Sequence, residues 1–399
     1  MSINRLAFVA AAVGAIVGST SLGCGGDDAT TPHDAATDTQ PPTDTSGTPP
    51  IDAPQFTVEV TNLVNGTFTN DQLAPASSGF GCSGGNISPG IKWSNPPVGT
   101  QSFLLTMRDP EAPTGSGFWH WTVYNIPATA TSIPPGANDP NAGLLPGTAT
   151  EGYVDFGRPG YGGPCPPAGD PPHHYEIRLA ALSAQAMPVF ITEIAPAALI
   201  EFAASTLTIS AAITTVAYPT GTGKPSIPVI PSPSSFVLAS NDIPAGSMID
   251  NKFVLNNFGC SGMNISPELH WSGAPTGTQS FALTVFDPDA PTESGFWHWL
   301  AFDIESSTTQ LNQGDSAPNG TPAISLAGGL QGYNDAAAKA YSGPCPPVGP
   351  AHTYTFTVYA LPVQHIGTTA KDTGGRISFA LLSMATAKAS FTAQYGRSQ

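Results

Sequence analysis

Residues 82–121, CSGGNISPGIKWSNPPVGTQSFLLTMRDPEAPTGSGFWHW, lie without a gap over residues 260–299, CSGMNISPELHWSGAPTGTQSFALTVFDPDAPTESGFWHW. About 28 of the 40 positions are identical. Agreement of that extent marks an internal duplication, which constrains the fold more than any composition does. The match resumes further on. YGGPCPP at 161–167 pairs with YSGPCPP at 341–347, and HHYEIRLAAL at 173–182 pairs with HTYTFTVYAL at 352–361. The chain is expected to fold as two similar domains. Two copies speak to architecture, not to which residues matter.

The 399 residues leave room for two domains, each with its own core. The segment PTGTGKPSIPVIPSPSS beginning at residue 219 is proline-rich and reads as a semi-rigid linker. The expected organisation is a first domain over residues 55–218, a linker over 219–234 and a second domain over 235–399. Residues 25–54 are rich in Thr, Asp and Pro, with almost nothing to bury, so they read as a disordered tether. Residues 1–24 read as an export signal: Arg5, an apolar run over residues 6–17 too short to span a bilayer, then SLGC ending in Cys24. That ending resembles a bacterial lipobox, whose cysteine is lipidated. The leucine usual three places before the cysteine is displaced here, with Ser21 in that place and Leu22 next to it. An ordinary secretory signal cut nearby is the alternative.

A formal net charge of −16, with no lysine or arginine cluster, argues against nucleic acid as a partner. Charged residues make up only 10% of the chain, while there are 43 glycines and 42 prolines, which favours strands and turns over long helices. The runs SFLLTMRD and SFALTVFD, WHWTVYNI and WHWLAFDI, and HYEIRLAAL and TYTFTVYAL have the character of strands, punctuated by Asp-Pro, Gly-Pro and Pro-Pro. Helical character is confined to APAALIEFAASTLTISAA and GGRISFALLSMATAKASF near the end of each copy. Each domain therefore reads as mostly antiparallel β, with one or two late helices.

Three polar features recur in the same order in both copies: an aspartate at a strand end (Asp109, Asp287), a histidine between two tryptophans (His120, His298), and a histidine two places before a tyrosine (His173 and Tyr175, His352 and Tyr354). A GPCPP loop lies between the second and third. Singly, each has a plain structural reading: a turn-forming Asp-Pro, a hydrogen-bonded core histidine, a rigid loop. In a regular strand both tryptophans point away from the face that carries the histidine, so they need not cage it.

The combination of DPxAP, GFWHW, GPCPP and HxY resembles the phosphatidylethanolamine-binding protein family, and in particular its bacterial, Raf kinase inhibitor-like branch. The resemblance covers nearly all of both domains. It implies a mostly β fold, an antiparallel Greek-key β-sandwich with a few peripheral helices. It also implies a small anion pocket at one end of the sheet, taking phosphate-like or carboxylate groups. Carried over by motif, the first pocket comprises Asp109, His120, His173 and Tyr175, with Gly163 and Pro164 at its rim. The second comprises Asp287, His298, His352 and Tyr354, with Gly343 and Pro344. Histidine suits such a site, because a protonated imidazole gives an oxyanion a charge-assisted hydrogen bond and a nearby aspartate raises its basicity. No arginine motif adjoins these positions, so affinity is expected to be weak and pH-dependent. The chain departs from the branch at Ser83 and Ser261, where an aspartate is usual, which puts polar specificity in doubt. Glu111 and His174 of the first copy face Asp289 and Thr353 of the second, so the two pockets are expected to differ in affinity.

Apart from Cys24, each copy holds two cysteines: Cys82 and Cys165, and Cys260 and Cys345. Four cysteines allow three pairings. The repeat favours pairing within each domain, and export permits oxidation; buried free thiols are the alternative. Metal-type cysteine spacing is absent, and so is a nucleophile elbow. Asn86 and Asn264 begin NIS triplets, read here as turn asparagines. Three functions stay open. The first is a cell-envelope, lipid-anchored binding protein for a small anion, a phospholipid head group or a partner's side chain, without a cofactor and without catalysis. The second is an inhibitor or surface-interaction protein. The third is a metal-dependent hydrolase using two histidines and an aspartate.

Overall fold

The computed structural model describes residues 54–219, 227–316 and 328–398. The signal-like segment, Cys24 and nearly all of the tether lie outside the described residues, as do residues 220–226 of the linker.

In the first domain, β1 (Thr57–Thr61) and β2 (Gly90–Ser94) pair with the short strand Ser132–Ile133 in a three-stranded sheet. A five-stranded sheet is built around β3 (Ser102–Asp109), which lies between β4 (Phe118–Pro127) and β5 (His173–Leu182). Helix α1 (Ala197–Ser205) leads into the edge strand β6 (Thr208–Tyr218), and Thr150–Glu151 closes the other edge. The second domain repeats the plan. A three-stranded sheet contains β7 (Val237–Ala239), β8 (Leu269–Ser272) and Gln310–Leu311. A five-stranded sheet contains β9 (Ser280–Asp287), β10 (Phe296–Glu305), β11 (His352–Leu361) and, after helix α2 (Gly374–Met384), β12 (Ala387–Tyr395). Neighbouring strands in these sheets are antiparallel.

The central strands are apolar on both faces because both are covered. Phe103, Leu105 and Met107 of β3 face the small sheet with Trp93 and Trp121, while Leu104 packs with Leu199 and Ile200 of α1. The helices are shorter than the sequence suggested. After Ser205 and Met384 the chain turns and continues as β6 and β12, so the second half of each helix-like segment is strand. Residues such as Thr208, Ile209 and Ile213 carry the β-branching that favours this. The described end of the linker is not free. Ile230 is buried with Tyr359 and Leu361, and Pro231 accepts a hydrogen bond from the Lys388 amide.

Strict alternation fails at the histidine between the tryptophans. Met107 pairs with Trp121 and Arg108 with Trp119, so His120 is the extra residue of a β-bulge. Val285 with Trp299 and Phe286 with Trp297 leave His298 in the same state. A bulge re-aims the side chain it carries. Consequently Trp121 enters the core between the sheets, Trp119 packs with Val154 and Ala197, and neither mirrors the other across the histidine.

The two domains pack through their helices, each reaching the other domain. The Ser378 hydroxyl of α2 donates to the Thr114 carbonyl at 2.6 Å, and Arg376 lies 4.2 Å over the Phe80 ring. In return, Phe202 of α1 meets Phe258 edge-on at 5.8 Å, and Glu201 accepts from the Glu293 amide at 3.4 Å. Between these contacts Tyr153 and Tyr333 meet edge-on at 5.8 Å, and the Thr373 hydroxyl donates to Asp155 at 2.5 Å.

Candidate functional site

Strand pairing gathers the recurring polar residues at one end of each large sheet. Asp109 ends β3 opposite Phe118, the first residue of β4. The bulged His120 follows two places on, and His173 opens β5 alongside. His173 Nδ1 lies 2.6 Å from Asp109 Oδ2, and His352 Nδ1 lies 2.8 Å from Asp287 Oδ2. In the second domain His298 Nε2 is 4.0 Å from the same Asp287 oxygen. Tyr175 and Tyr354 complete the floor. Each ring meets the bulged histidine edge-on, at 5.1 and 5.2 Å, and each buried hydroxyl lies beside the aspartate of its own pocket.

The residue just before each GPCPP segment holds the bulged histidine in place. His120 Nδ1–H donates to the Gly162 carbonyl at 2.7 Å, and the Gly162 amide returns a bond to the His120 carbonyl at 2.8 Å. Ser342 does both for His298, at 2.7 and 2.9 Å. Because a carbonyl only accepts, Nδ1 carries the proton and Nε2 of each neutral ring is an acceptor. Burial lowers the basicity of both rings, against the opposing pull of Asp109 or Asp287. His173 differs. Burial works to lower its basicity too, but Asp109 and Asp170 outweigh it and the net shift is upward. Burial, with the aspartate beside each, drives the Tyr175 and Tyr354 hydroxyls well above the ordinary phenol range, so both remain protonated.

Of the four expected rim residues, Gly343 lines its cavity. Gly163 and Pro164 are buried, and the Pro164 carbonyl accepts from the Ala74 amide at 3.1 Å. Pro344 makes the matching bond to Leu255. Glycine is required at 163 and 343, because a Cβ would stand 2.1 Å from the Gln72 or Phe253 carbonyl oxygen. The disulfides join Cys82 to Cys165 and Cys260 to Cys345, and Cys165 and Cys345 reach the cavity walls.

Several residues that shape the site were named from the sequence without this role, Asn86 and Asn264 as turn asparagines and Glu111 and Asp289 as a difference between the copies. Asn86 and Asn264, left-handed at φ 54° and 52°, accept from the Gly163 and Gly343 amides at 2.9 and 2.7 Å and so lock the loop. Their repetition in NIS was the available signal. Glu111 Oε2 accepts from the His174 amide and Asp289 Oδ2 from the Thr353 amide, both at 2.8 Å, so the second acid of DPxAP ties down the start of β5 or β11. The walls come partly from the other domain: Leu199 and Phe202 of α1 line the second cavity and Phe379 of α2 lines the first. Nothing in one copy alone could reveal that. Among the described residues, no group of three or more His, Cys, Asp or Glu side chains is placed to hold a metal ion, and no helix is long and apolar enough to cross a membrane.

The sequence profile of the phosphatidylethanolamine-binding proteins matches residues 64–218 and again 239–396. Similar proteins include Escherichia coli YbcL, 53% identical over 123 residues (30% of this chain and 67% of that protein). Escherichia coli YbhB is 38% identical over 159 residues, which are 40% of this chain and 98% of that protein. A Mycobacterium tuberculosis protein named as a candidate lipoprotein, LppC, is 38% identical over 106 residues, 27% of this chain and 48% of that one. The crystal structure of YbcL, described as a member of the mammalian phosphatidylethanolamine-binding protein family, aligns at 39% identity over 41% of this chain and 99% of its own, with a TM-score of 0.39. The chain belongs to the phosphatidylethanolamine-binding protein family and carries its domain twice.

Proposed function

We propose that the protein is a cell-envelope binding protein, anchored through Cys24, that takes up a small oxyanion, phosphate-like or carboxylate, together with a proton. On this reading, domains at 55–218 and 235–399 stand on the tether of residues 25–54.

The observation that carries the reading is the Asp287–His352 pair at the floor of a small, mostly apolar cavity. With Nδ1–H committed to the carboxylate, a protonated His352 has one remaining donor, Nε2–H. The buried Tyr354 hydroxyl beside it is a further donor, lying next to Asp287. When neutral, the site offers mainly acceptors: Asp287, His298 Nε2 and His352 Nε2. An oxyanion therefore needs a proton on an imidazole or on itself, and affinity must fall as pH rises. The likeness to LppC and the SLGC sequence support the anchor.

Thermal unfolding of the full chain in phosphate, phosphoethanolamine, acetate or divalent metal salts, at pH 6 and pH 8, tests the binding. A ligand of the native state raises apparent stability. The expected result is a rise with the anions, larger at pH 6 and removed by His173→Ala together with His352→Ala. No rise with any anion at either pH would refute the reading. For the anchor, Cys24→Ser should move the protein from the membrane fraction to the soluble one.

A further inference from the structure

The two pockets share a plan but not a state. In the first domain the loop from Cys165 to His173 is one residue longer than that from Cys345 to His352, and it carries Asp170. The Asp170 carboxylate stands 3.5 Å from His173 Nε2, the nitrogen left free by Asp109. The His173 side chain is 1% exposed, against 13% for His352, so its Nε2 is cut off from solvent and faces Asp170. A second difference narrows the same pocket. Phe156 meets His120 edge-on at 5.5 Å, whereas its counterpart in the second domain is Ala336.

We propose that the second domain's pocket is the protein's anion site, and that the first is held shut by its own Asp170, which occupies as a built-in carboxylate the place an incoming oxyanion would take. The inference rests on the anion-binding reading above. An oxyanion reaching for His173 Nε2 would meet Asp170 already 3.5 Å from that nitrogen, with Asp109 on the other, and would first have to displace Asp170. In the second pocket it meets one carboxylate and an open Nε2. Like charges at such spacing oppose binding strongly inside a protein.

Histidine side-chain NMR of the full chain, labelled at Cε1 and titrated with inorganic phosphate at pH 6, separates the sites; signals are assigned by single His→Gln variants. The expected result is saturable movement of the His298 and His352 signals, with those of His120 and His173 still at phosphate concentrations that saturate the others. Asp170→Asn, and more so Asp170→Asn with Phe156→Ala, should bring the His120 and His173 signals into motion. Circular dichroism melts of each variant establish that it is folded. Movement of all four wild-type signals with one midpoint would overturn the inference while leaving anion binding intact, as would an Asp170→Asn protein, folded, whose first-domain signals stay still. Stillness of all four signals would overturn the anion reading and this inference with it.

Discussion

Asp335 is buried where the two domains meet, and its environment is poorer than that of its repeat mate Asp155. Asp155 accepts from the Trp119 amide at 2.8 Å, from the Thr373 hydroxyl and from the Gly375 amide, so that the first domain's carboxylate caps the second domain's helix α2. Asp335 keeps only the bond from the Trp297 amide, 2.7 Å, because Pro196 stands where a threonine would be needed and has no hydroxyl to give. Burial, with Asp155 nearby, pushes the Asp335 carboxyl from 3.8 up to about 8, and burial lifts Asp155 to about 6. Between pH 4 and 8 the folded chain thus holds a proton on Asp335 that the unfolded chain has released. The stability tied to this proton is complete below pH 4 and is lost as pH rises towards 8. At about 1.4 kcal/mol per pH unit, the loss reaches roughly 4 kcal/mol by pH 7. Asparagine reproduces the protonated acid, with an oxygen for the Trp297 amide and a donor on the other atom, and never has to ionise. Asp335→Asn should therefore be close to neutral at pH 4.5 and stabilising by several kcal/mol at pH 8. Calorimetric unfolding of both proteins across that range measures it. The same substitution at Asp155 should gain less at pH 8, because the lower starting value removes about 3 kcal/mol of the effect and good hydrogen bonds are lost as well. An equal shift in melting temperature for Asp335→Asn at pH 4.5 and pH 8 would refute the reasoning.

Two further outcomes follow from the geometry. Replacing Cys260 and Cys345 together by serine opens a link across 85 residues, for which loop entropy predicts a loss of about 4–5 kcal/mol, read by urea unfolding under oxidising conditions; a loss below about 1 kcal/mol would show that the unfolded chain does not gain that freedom. Phe202→Ala, in the first domain, should weaken phenyl phosphate binding roughly tenfold while leaving inorganic phosphate unchanged, since about 1.4 kcal/mol of apolar contact is what one wall ring can supply; equal loss for both ligands in calorimetric titration would place Phe202 outside the wall.

Much of this architecture was legible before any coordinates. The duplication and the strand runs of β3 and β9 follow from motifs that recur in fixed order, and the clustering of Asp109, His120 and His173 from the family resemblance those motifs carry. What was not legible has a common cause: it depends on partners distant in sequence. Alternation could not reveal that His120 is a bulge, because the bulge is a property of its register with Met107 and Arg108. The segments after Ser205 and Met384 contain enough alanine to suggest continued helix, and the sheet edge beside β5 or β11 decides otherwise. Pro164 looked like rim by motif, yet it is buried because the loop it belongs to must accept the Ala74 amide.

Joining two copies in one chain removes a restriction. Two identical subunits packed on each other repeat every contact, so a substitution that helps one pocket or one half of the interface is imposed on the other. Here the halves are free to diverge, and they have. Where the first domain meets the second through Arg108, Arg178, Glu176 and Glu201 gathered around Glu293, the equivalent of Glu293 is Gly115 and that of Glu201 is Ser378. Burial beside Glu293 lifts the Glu201 carboxyl to about 7, so this half of the interface holds a charged, proton-sensitive cluster, while at the equivalent place in the other half Ser378 gives a neutral hydroxyl bond to the Thr114 carbonyl. The same freedom allows Asp170 and Phe156 on one side against an open loop and Ala336 on the other. Each pocket is walled by the opposite domain's helix, so the divergence of one copy also reshapes the site of its mate. On the proposed reading, selection on a ligand in the second pocket would act on Leu199 and Phe202 of the first domain, because both line that pocket.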